Sequence, residues 1–342
     1  MILYELTLFI IKNTARMVHI ISTKTLNGRT DPYSSNGNIF STEKYIICSS
    51  GSSIEIWNIH TCEHIKTIKG HTKIVLSVFA INNFIISGDN ANTIKVWDCN
   101  TFELINSINV CNSYACSEYL TKPVYSVFAI NNYIINGSCD SKIRVRDINT
   151  LKVVKILDGH TDAVVSIFAI NDFIISGSAD TSIKIWSINT GKCINTLNGH
   201  SDRVFSVFAI NNLIISGSAD TLIKIWDITS AKCINTLTGH TDYVQSVFAN
   251  NKVIISTSAD RSIKIWDIKT YECINTFKTR FYAPSISVTN DKIIYLDDDE
   301  IIVSKYITNE QIFTALMCMW KLDYPTEIIH EIFMWLGINT YA

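Results

Sequence analysis

The chain has 342 residues, 47% of them hydrophobic, and a formal net charge of −2. That length can bury a large core, and the near-neutral balance gives no electrostatic case for nucleic acid or an anionic membrane as partner. The apolar opening Met1–Ile11 holds Glu5 and lacks a basic start and a small-residue cleavage site, so it reads as neither a signal peptide nor a membrane span.

Residues 1–15 carry no motif and are taken as an N-terminal extension. Met17–Leu26 ends in Thr23-Lys24-Thr25-Leu26-Asn27-Gly28, which echoes Ile194–Gly199 further on, so it is expected to be an outer strand. A first unit then runs to Trp57-Asn58, with Gly51 in a shortened turn. A second carries Gly70-His71 and Trp97-Asp98, with Ala91 at the position where later units have Asp. The third is longer: Trp97 to Arg146 spans 49 residues, and the surplus lies in Cys111–Lys122. There Val110-Cys111 stands in place of Gly-His, and Arg146 in place of Trp.

Units four to six are the strict ones. Gly-His recurs at Gly159, Gly199 and Gly239, the turn Asp at Asp180, Asp220 and Asp260, and Trp at Trp186, Trp226 and Trp266, each with a step of 40 residues. A fixed period of this size marks a repeat architecture. Within a unit, Val204–Ile210, Leu213–Ser216 and Leu222–Ile228 are short β-rich runs too apolar for a sheet with one wet face. Asn211-Asn212 suits a tight hairpin, and the more polar Cys233–Leu237 reads as an outermost strand. Sheets stacked face to face around an axis satisfy this pattern while leaving only short edges exposed.

Ten cysteines would suit a disulfide framework, but Cys193, Cys233 and Cys273 recur at one position of successive units, too far apart to bridge. A reduced, cytoplasmic protein is expected, with the nucleus as an open alternative. A seventh, degenerate unit follows at Asn290–Glu300, with neither Gly-His nor Trp. Asp297–Glu300 reads as a solvated turn rather than a cation site.

The Gly-His, turn Asp and Ile-Trp-Asp signature, as in Gly199-His200, Asp220 and Ile225-Trp226-Asp227, resembles the WD (Trp-Asp) repeat family. The resemblance implies an all-β fold, a seven-bladed β-propeller over residues 16–316, followed by a short helical tail at 317–342. It also implies that His160/Ser176/Asp180/Trp186, His200/Ser216/Asp220/Trp226 and His240/Ser256/Asp260/Trp266 form hydrogen-bond chains inside single blades. A set that occurs three times in full reads as structural, whereas an active site is singular. With no nucleophile elbow, P-loop, dinucleotide fingerprint or metal-spaced Cys/His cluster, no catalysis, cofactor or metal is expected. In the family the N-terminal strand commonly closes the last blade. Met17–Leu26 and Ile312–Leu316 both compete for that slot.

The resemblance further implies that the segment after Gly-His enters the innermost strand at the top face, where partners dock. That segment varies between otherwise identical units: Ala163-Val164-Val165, Arg203-Val204-Phe205, Tyr243-Val244-Gln245, Ile74-Val75-Leu76 and Pro123-Val124-Tyr125. Tyr125, Val165, Arg203, Phe205, Tyr243 and Gln245, with Tyr114 and Tyr119 of the insertion, are therefore the expected protein-binding residues. Drift among solvent-facing positions of duplicated units is the competing explanation. In the tail, Pro325-x-Glu327-Ile328-x-x-x-Ile332-Phe333-x-x-Leu336 resembles the opening helix of an F-box, although Tyr324 replaces the usual Leu and an F-box needs more helices than the residues to Ala342 allow. Pro325, Ile328, Ile332, Phe333 and Leu336 would then engage a Skp-type adaptor and a cullin, making the protein a ubiquitin-ligase substrate receptor. A helix packed on the propeller is the alternative. The rival function is an RNA- or chromatin-associated propeller, for which the row Lys184, Lys224 and Lys264 is the available basic feature.

Overall fold

A computed structural model describes residues 18–26, 38–110, 123–280, 283–289, 292–297 and 300–308. Strand β1 is Val18–Leu26. Blade 1 then takes β2 (Ile39–Ser41), β3 (Tyr45–Ser50), β4 (Ser53–Asn58) and β5 (His64–Lys69). Blade 2 takes β6 (Val75–Ile81), β7 (Phe84–Asp89), β8 (Thr93–Asp98) and β9 (Leu104–Asn109). Blade 3 takes β10 (Val124–Ile130), β11 (Tyr133–Ser138), β12 (Ile143–Asp147) and β13 (Val153–Leu157). Blade 4 takes β14 (Val164–Ile170), β15 (Phe173–Ser178), β16 (Ile183–Ser187) and β17 (Cys193–Leu197). Blade 5 takes β18 (Val204–Ile210), β19 (Leu213–Ser218), β20 (Ile223–Asp227) and β21 (Lys232–Leu237). Blade 6 takes β22 (Val244–Ala249), β23 (Val253–Ser258), β24 (Ser262–Asp267) and β25 (Cys273–Lys278). Blade 7 uses β26 (Ile286–Val288), β27 (Lys292–Asp297) and β28 (Glu300–Thr308), and its strand order is β1-β28-β27-β26. The fold is an all-β, seven-bladed propeller.

The strands form for the reasons legible in their residues. Second strands such as β19, with Ile214 and Ile215, are buried almost throughout because neighbouring sheets cover both their faces. Outer strands such as β21 are exposed over their first half and buried only at the last residue. The hairpin between first and second strands turns on Asn82, Asn131, Asn171 and Asn211, all at φ between 52° and 54°, a left-handed conformation that asparagine tolerates.

The chain divides into two compact units, the larger of which is Lys24–Val303. Within Lys24–Val303 the ring closes on itself: the innermost strands β2, β6, β10, β14, β18, β22 and β26 touch in that order, and β26 touches β2. Burial lies between blades rather than in one central core. Ile175, Ile183, Ile185 and Leu197 of blade 4 pack with Val204, Val207, Ile214 and Trp226 of blade 5. Side chains also stitch blade to blade. The amides of Val127, Ile167, Val207 and Val247 donate to Ser77, Ser126, Ser166 and Ser206 of the preceding blade at 3.0–3.1 Å. The Ser41 amide closes the circle on Ser287 at 3.0 Å. Nearer the axis, Phe40, Phe79, Phe128, Phe168, Phe208 and Phe248 form a tilted file with ring centroids 4.3–4.8 Å apart. Position Gly177 must lack a side chain, since a Cβ would meet Val204 Cγ1 of blade 5 at 2.8 Å.

Of the two segments competing for the outer slot of blade 7, the N-terminal β1 fills it beside β28. Ile312–Leu316, the tail with Pro325, Ile328, Ile332, Phe333 and Leu336, and the insertion with Tyr114 and Tyr119 lie outside the described residues.

Candidate partner-binding face

The polar sets come first, because they fix the ends of the blades. In blade 5, Trp226 Nε1 donates to Ser216 Oγ at 2.9 Å, Ser216 lies 2.7 Å from His200 Nε2, and His200 Nδ1 lies 2.7 Å from Asp220 Oδ2. The carboxylate can only accept, so Nδ1 carries the proton, and Nε2 of the neutral imidazole then accepts the serine hydrogen while the indole donates to the serine oxygen. The direction of the whole chain follows from one group. Blades 4 and 6 repeat it through Trp186, Ser176, His160 and Asp180, and through Trp266, Ser256, His240 and Asp260.

Burial lowers the pKa of His200 and His240 and outweighs the opposing pull of Asp220 and Asp260, so both imidazoles are held neutral. For Asp220 burial works upward, but the His200 hydrogen bond and charge with the Leu222 and Ser201 amides hold the carboxyl below its ordinary value. The serine hydroxyls are fully buried, and each is tied to the histidine and tryptophan of its own blade. These sets are struts.

Spacing alone missed a fourth complete set. In blade 2 the Asp position holds Ala91, yet Asp89, two residues earlier, reaches His71 Nδ1 at 2.9 Å, while Ser87 joins His71 at 2.6 Å and Trp97 at 2.9 Å. Asp89 Oδ1 then accepts from the amides of Ala91 and Thr93, reproducing the turn. The signal was present in the sequence as Gly88-Asp89, but out of register. The glycine before each histidine also has a tertiary cause: a Cβ at Gly70 would meet the Trp97 ring at 2.8 Å, and one at Gly199 the Trp226 ring at 3.1 Å. Blade 3 changes both members together, with Val110 for glycine and Arg146 for tryptophan, and Arg146 Nη2 donates to Val110 O at 2.9 Å.

The segment after each histidine is pinned to the turn between second and third strands of the same blade. The amides of Asn90, Ala179, Ala219 and Ala259 donate to the carbonyls of Ile74, Ala163, Arg203 and Tyr243 at 2.9–3.0 Å. These lead-in segments and turns therefore form one end of the blades, the top face. The middle valines Val75, Val124, Val164, Val204 and Val244 are buried, as their constancy between units implies.

The residue after each of these valines is skipped by the strand register. The ladder skips from Val124 to Ser126, Val164 to Ser166, Val204 to Ser206 and Val244 to Ser246, so Tyr125, Val165, Phe205 and Gln245 each occupy a β-bulge. A bulge interrupts the ladder locally and re-aims one side chain. Tyr125 is 37% exposed and Tyr243 48%, Arg203 is exposed, and Phe205, Val165 and Gln245 are half-buried. Phe205 and Tyr243, from adjacent blades, are in ring contact at 6.1 Å between centroids. Blade 2 places an exposed Ile74 (39%) and a half-buried Leu76 at the matching positions.

Charge on this face is mixed: Lys73 and Arg203 stand among Asp162, Asp202 and Asp242, whose carboxylates accept the amide of the next residue where Ala163, Arg203 and Tyr243 begin the strands. The row of Lys184, Lys224 and Lys264 lies elsewhere, each ammonium on the outer-strand hydroxyl of Thr196, Thr236 or Thr276 at 2.9–3.2 Å. Those lysines are tied within their own blades. Among the described residues no group of three or more His, Cys, Asp or Glu is placed to hold a metal ion, and seven cysteines are free thiols, with Cys193, Cys233 and Cys273 exposed on outer strands.

A ring of seven blades with His–Ser–Trp struts and an aromatic-bearing top face defines a repeat-built propeller of the interaction type. Four stretches, residues 62–98, 151–187, 191–227 and 231–267, match the family WD40: WD domain, G-beta repeat, so the seven-bladed propeller carries four WD repeats. Each matched stretch begins at or just before an outer strand and ends in the third strand of the next blade, so the sequence repeat is offset from the blade by one strand. That offset is why the last blade needs an outer strand from the N-terminus. No curated protein matches the chain. Among solved structures, the crystal structure of the computationally designed Ika8 protein is 23% identical with a TM-score of 0.66, covering 79% of this chain and 82% of that one, a likeness of fold alone.

Proposed function

We propose that the protein is a non-catalytic scaffold that binds a protein partner on the top face, with Arg203, Phe205 and Tyr243 as anchors and Tyr125, Val165, Gln245 and Ile74 around them. One observation carries this reading: the residues that differ between near-identical blades sit at bulges and lead-ins on one face, while their buried neighbours stay constant. Arginine and aromatic side chains at the centre of such a patch are the residue types that dominate interface energetics. A scaffold of this kind works by rigidity, since a closed ring loses little freedom on binding.

The finer reading is a substrate receptor in the cytoplasm whose tail, through Pro325, Ile328, Ile332, Phe333 and Leu336, recruits a Skp-type adaptor and a cullin. Its support is the F-box-like pattern of those residues. The test is affinity purification of the full chain, an Arg203→Glu/Tyr243→Ala variant and a chain ending at Leu322. The top-face variant is expected to lose its principal partners while keeping its thermal midpoint, and the shortened chain to lose adaptor and cullin alone. Unchanged partners in the first would overturn the face, and unchanged ligase components, or none in either chain, would overturn the tail.

A further inference from the structure

Blade 3 departs from its sisters on one face of its sheet. Asn136 occupies the place of Ser176 and Arg146 that of Trp186, and the cross-strand pairs Asn136–Arg144 and Ile134–Arg146 set these side chains on a common face, with Ser138 two residues along. In blades 2, 4, 5 and 6 the matching positions carry a closed hydrogen-bond chain. In blade 3 they do not. Asn136 is 0% exposed and neither of its amide atoms has a hydrogen-bond partner, and Ser138 Oγ and Arg146 Nε are buried and unpartnered as well. Of the seven such atoms among the described residues, four fall on this one face. Concentrated orphan groups of this kind call for an occupant.

Charge is unbalanced at the same place. Asp140 is held by both terminal nitrogens of Arg144, at 3.1 and 2.5 Å. Arg146, 2% exposed, is left with two carbonyls, Leu151 O at 3.0 Å and Val110 O at 2.9 Å. Carbonyls satisfy donors but cancel no charge, and an uncompensated buried guanidinium is costly. Burial first, and then the nearby charge of Arg144, pull the Arg146 pKa below its ordinary value. Water could satisfy the orphan hydrogen bonds but would leave the charge. A cation would meet two guanidinium groups.

We propose that this face of blade 3 is a binding site for a small oxyanion, of the size of phosphate or a carboxylate group, held by Arg146 Nε–H and the Asn136 amide with Ser138 as a further donor. The site lies at the end of the blade that carries Tyr125, whose bulge faces the Gly137–Ser138 end of β11. Its occupancy is separable from partner binding, because none of its three residues belongs to the anchors named above.

The experiment is calorimetric titration and thermal denaturation of the full chain with sodium phosphate and with sodium acetate, against sodium chloride at matched ionic strength. One-to-one binding of phosphate or acetate with a saturable rise in the thermal midpoint is expected, and which anion works separates a phosphate from a carboxylate ligand. Arg146→Gln/Asn136→Ser, which removes the buried charge and the amide together, should lower affinity at least tenfold, and the gentler Asn136→Ser alone should lower it severalfold in a chain that still folds. No anion-specific binding by the unaltered chain, or equal affinity in Asn136→Ser and the double variant, would overturn the proposal.

Discussion

Replacing Ser216 with alanine removes one oxygen atom and almost no volume, so its cost measures polar satisfaction rather than a cavity. In the intact blade that oxygen accepts from Trp226 Nε1 at 2.9 Å and hydrogen-bonds His200 Nε2 at 2.7 Å. Ser216 is wholly buried and the His200 side chain is 0% exposed, so water does not replace it. Two net hydrogen bonds at about 0.5–1.5 kcal/mol each are lost. The indole N–H and the imidazole nitrogen are also left unsatisfied, and desolvation of even one such group costs about 1–3 kcal/mol. Because these terms overlap, the expected loss is about 2–4 kcal/mol, well above the ~0.5 kcal/mol of an ordinary surface change. The assay is urea denaturation with the slope compared between variants, a lower midpoint at constant slope being the expected result. Ser176→Ala in blade 4 should cost the same, and the double variant should lose the sum, since the two sets share no partner. A loss below about 0.5 kcal/mol for Ser216→Ala would refute the argument that satisfaction of this chain holds the blade together.

Acid should weaken the fold in two stages. His200 and His240 are depressed in the folded state, so their contribution is present at neutral pH and is lost as pH falls below the unfolded histidine value of about 6.5. Asp220 and Asp260 are also depressed, and their contribution, present above the unfolded value of about 3.9, is lost on further acidification. A His200→Gln/His240→Gln variant should show a flatter midpoint between pH 7.5 and 5.5, and an equally steep one would contradict the assignment. Gly177→Ala drives a Cβ to 2.8 Å from Val204 and 3.0 Å from Val207, so a loss of about 1–3 kcal/mol is expected, partly recovered by Val204→Ala, which removes the methyl it strikes. Ser166→Ala should orphan the Val207 amide between blades 4 and 5 at a cost of about 1–2 kcal/mol, read as faster hydrogen exchange at Val207.

Much of this architecture was legible from residues 159–267 alone. A 40-residue period, near-continuous apolar strands and Asn-Asn hairpins leave few alternatives to sheets stacked in a ring, because each signal is local and repeated. The variable lead-in residues could be picked out by comparing units with one another, and so could the invariant valine beside them. Their placement on bulges could not, since a bulge is a property of pairing with the next strand, and the same residues in a regular ladder would alternate differently.

What only the tertiary structure decided are the contacts between segments far apart in the chain. Asp89 replaces the missing turn aspartate because its carboxylate reaches His71 from a different backbone position, a matter of distance rather than spacing. Val110 and Arg146 change as a pair because a tryptophan ring packs on the glycine in sister blades, and the two lie 36 residues apart. The serine-to-amide stitches cross about 40 residues, and closure by β1 rather than a later segment joins opposite ends of the chain. Sequence determines which strands form because propensity and periodicity act over a few residues. Which partners they choose depends on where the ring brings distant side chains together, and no local pattern carries that information.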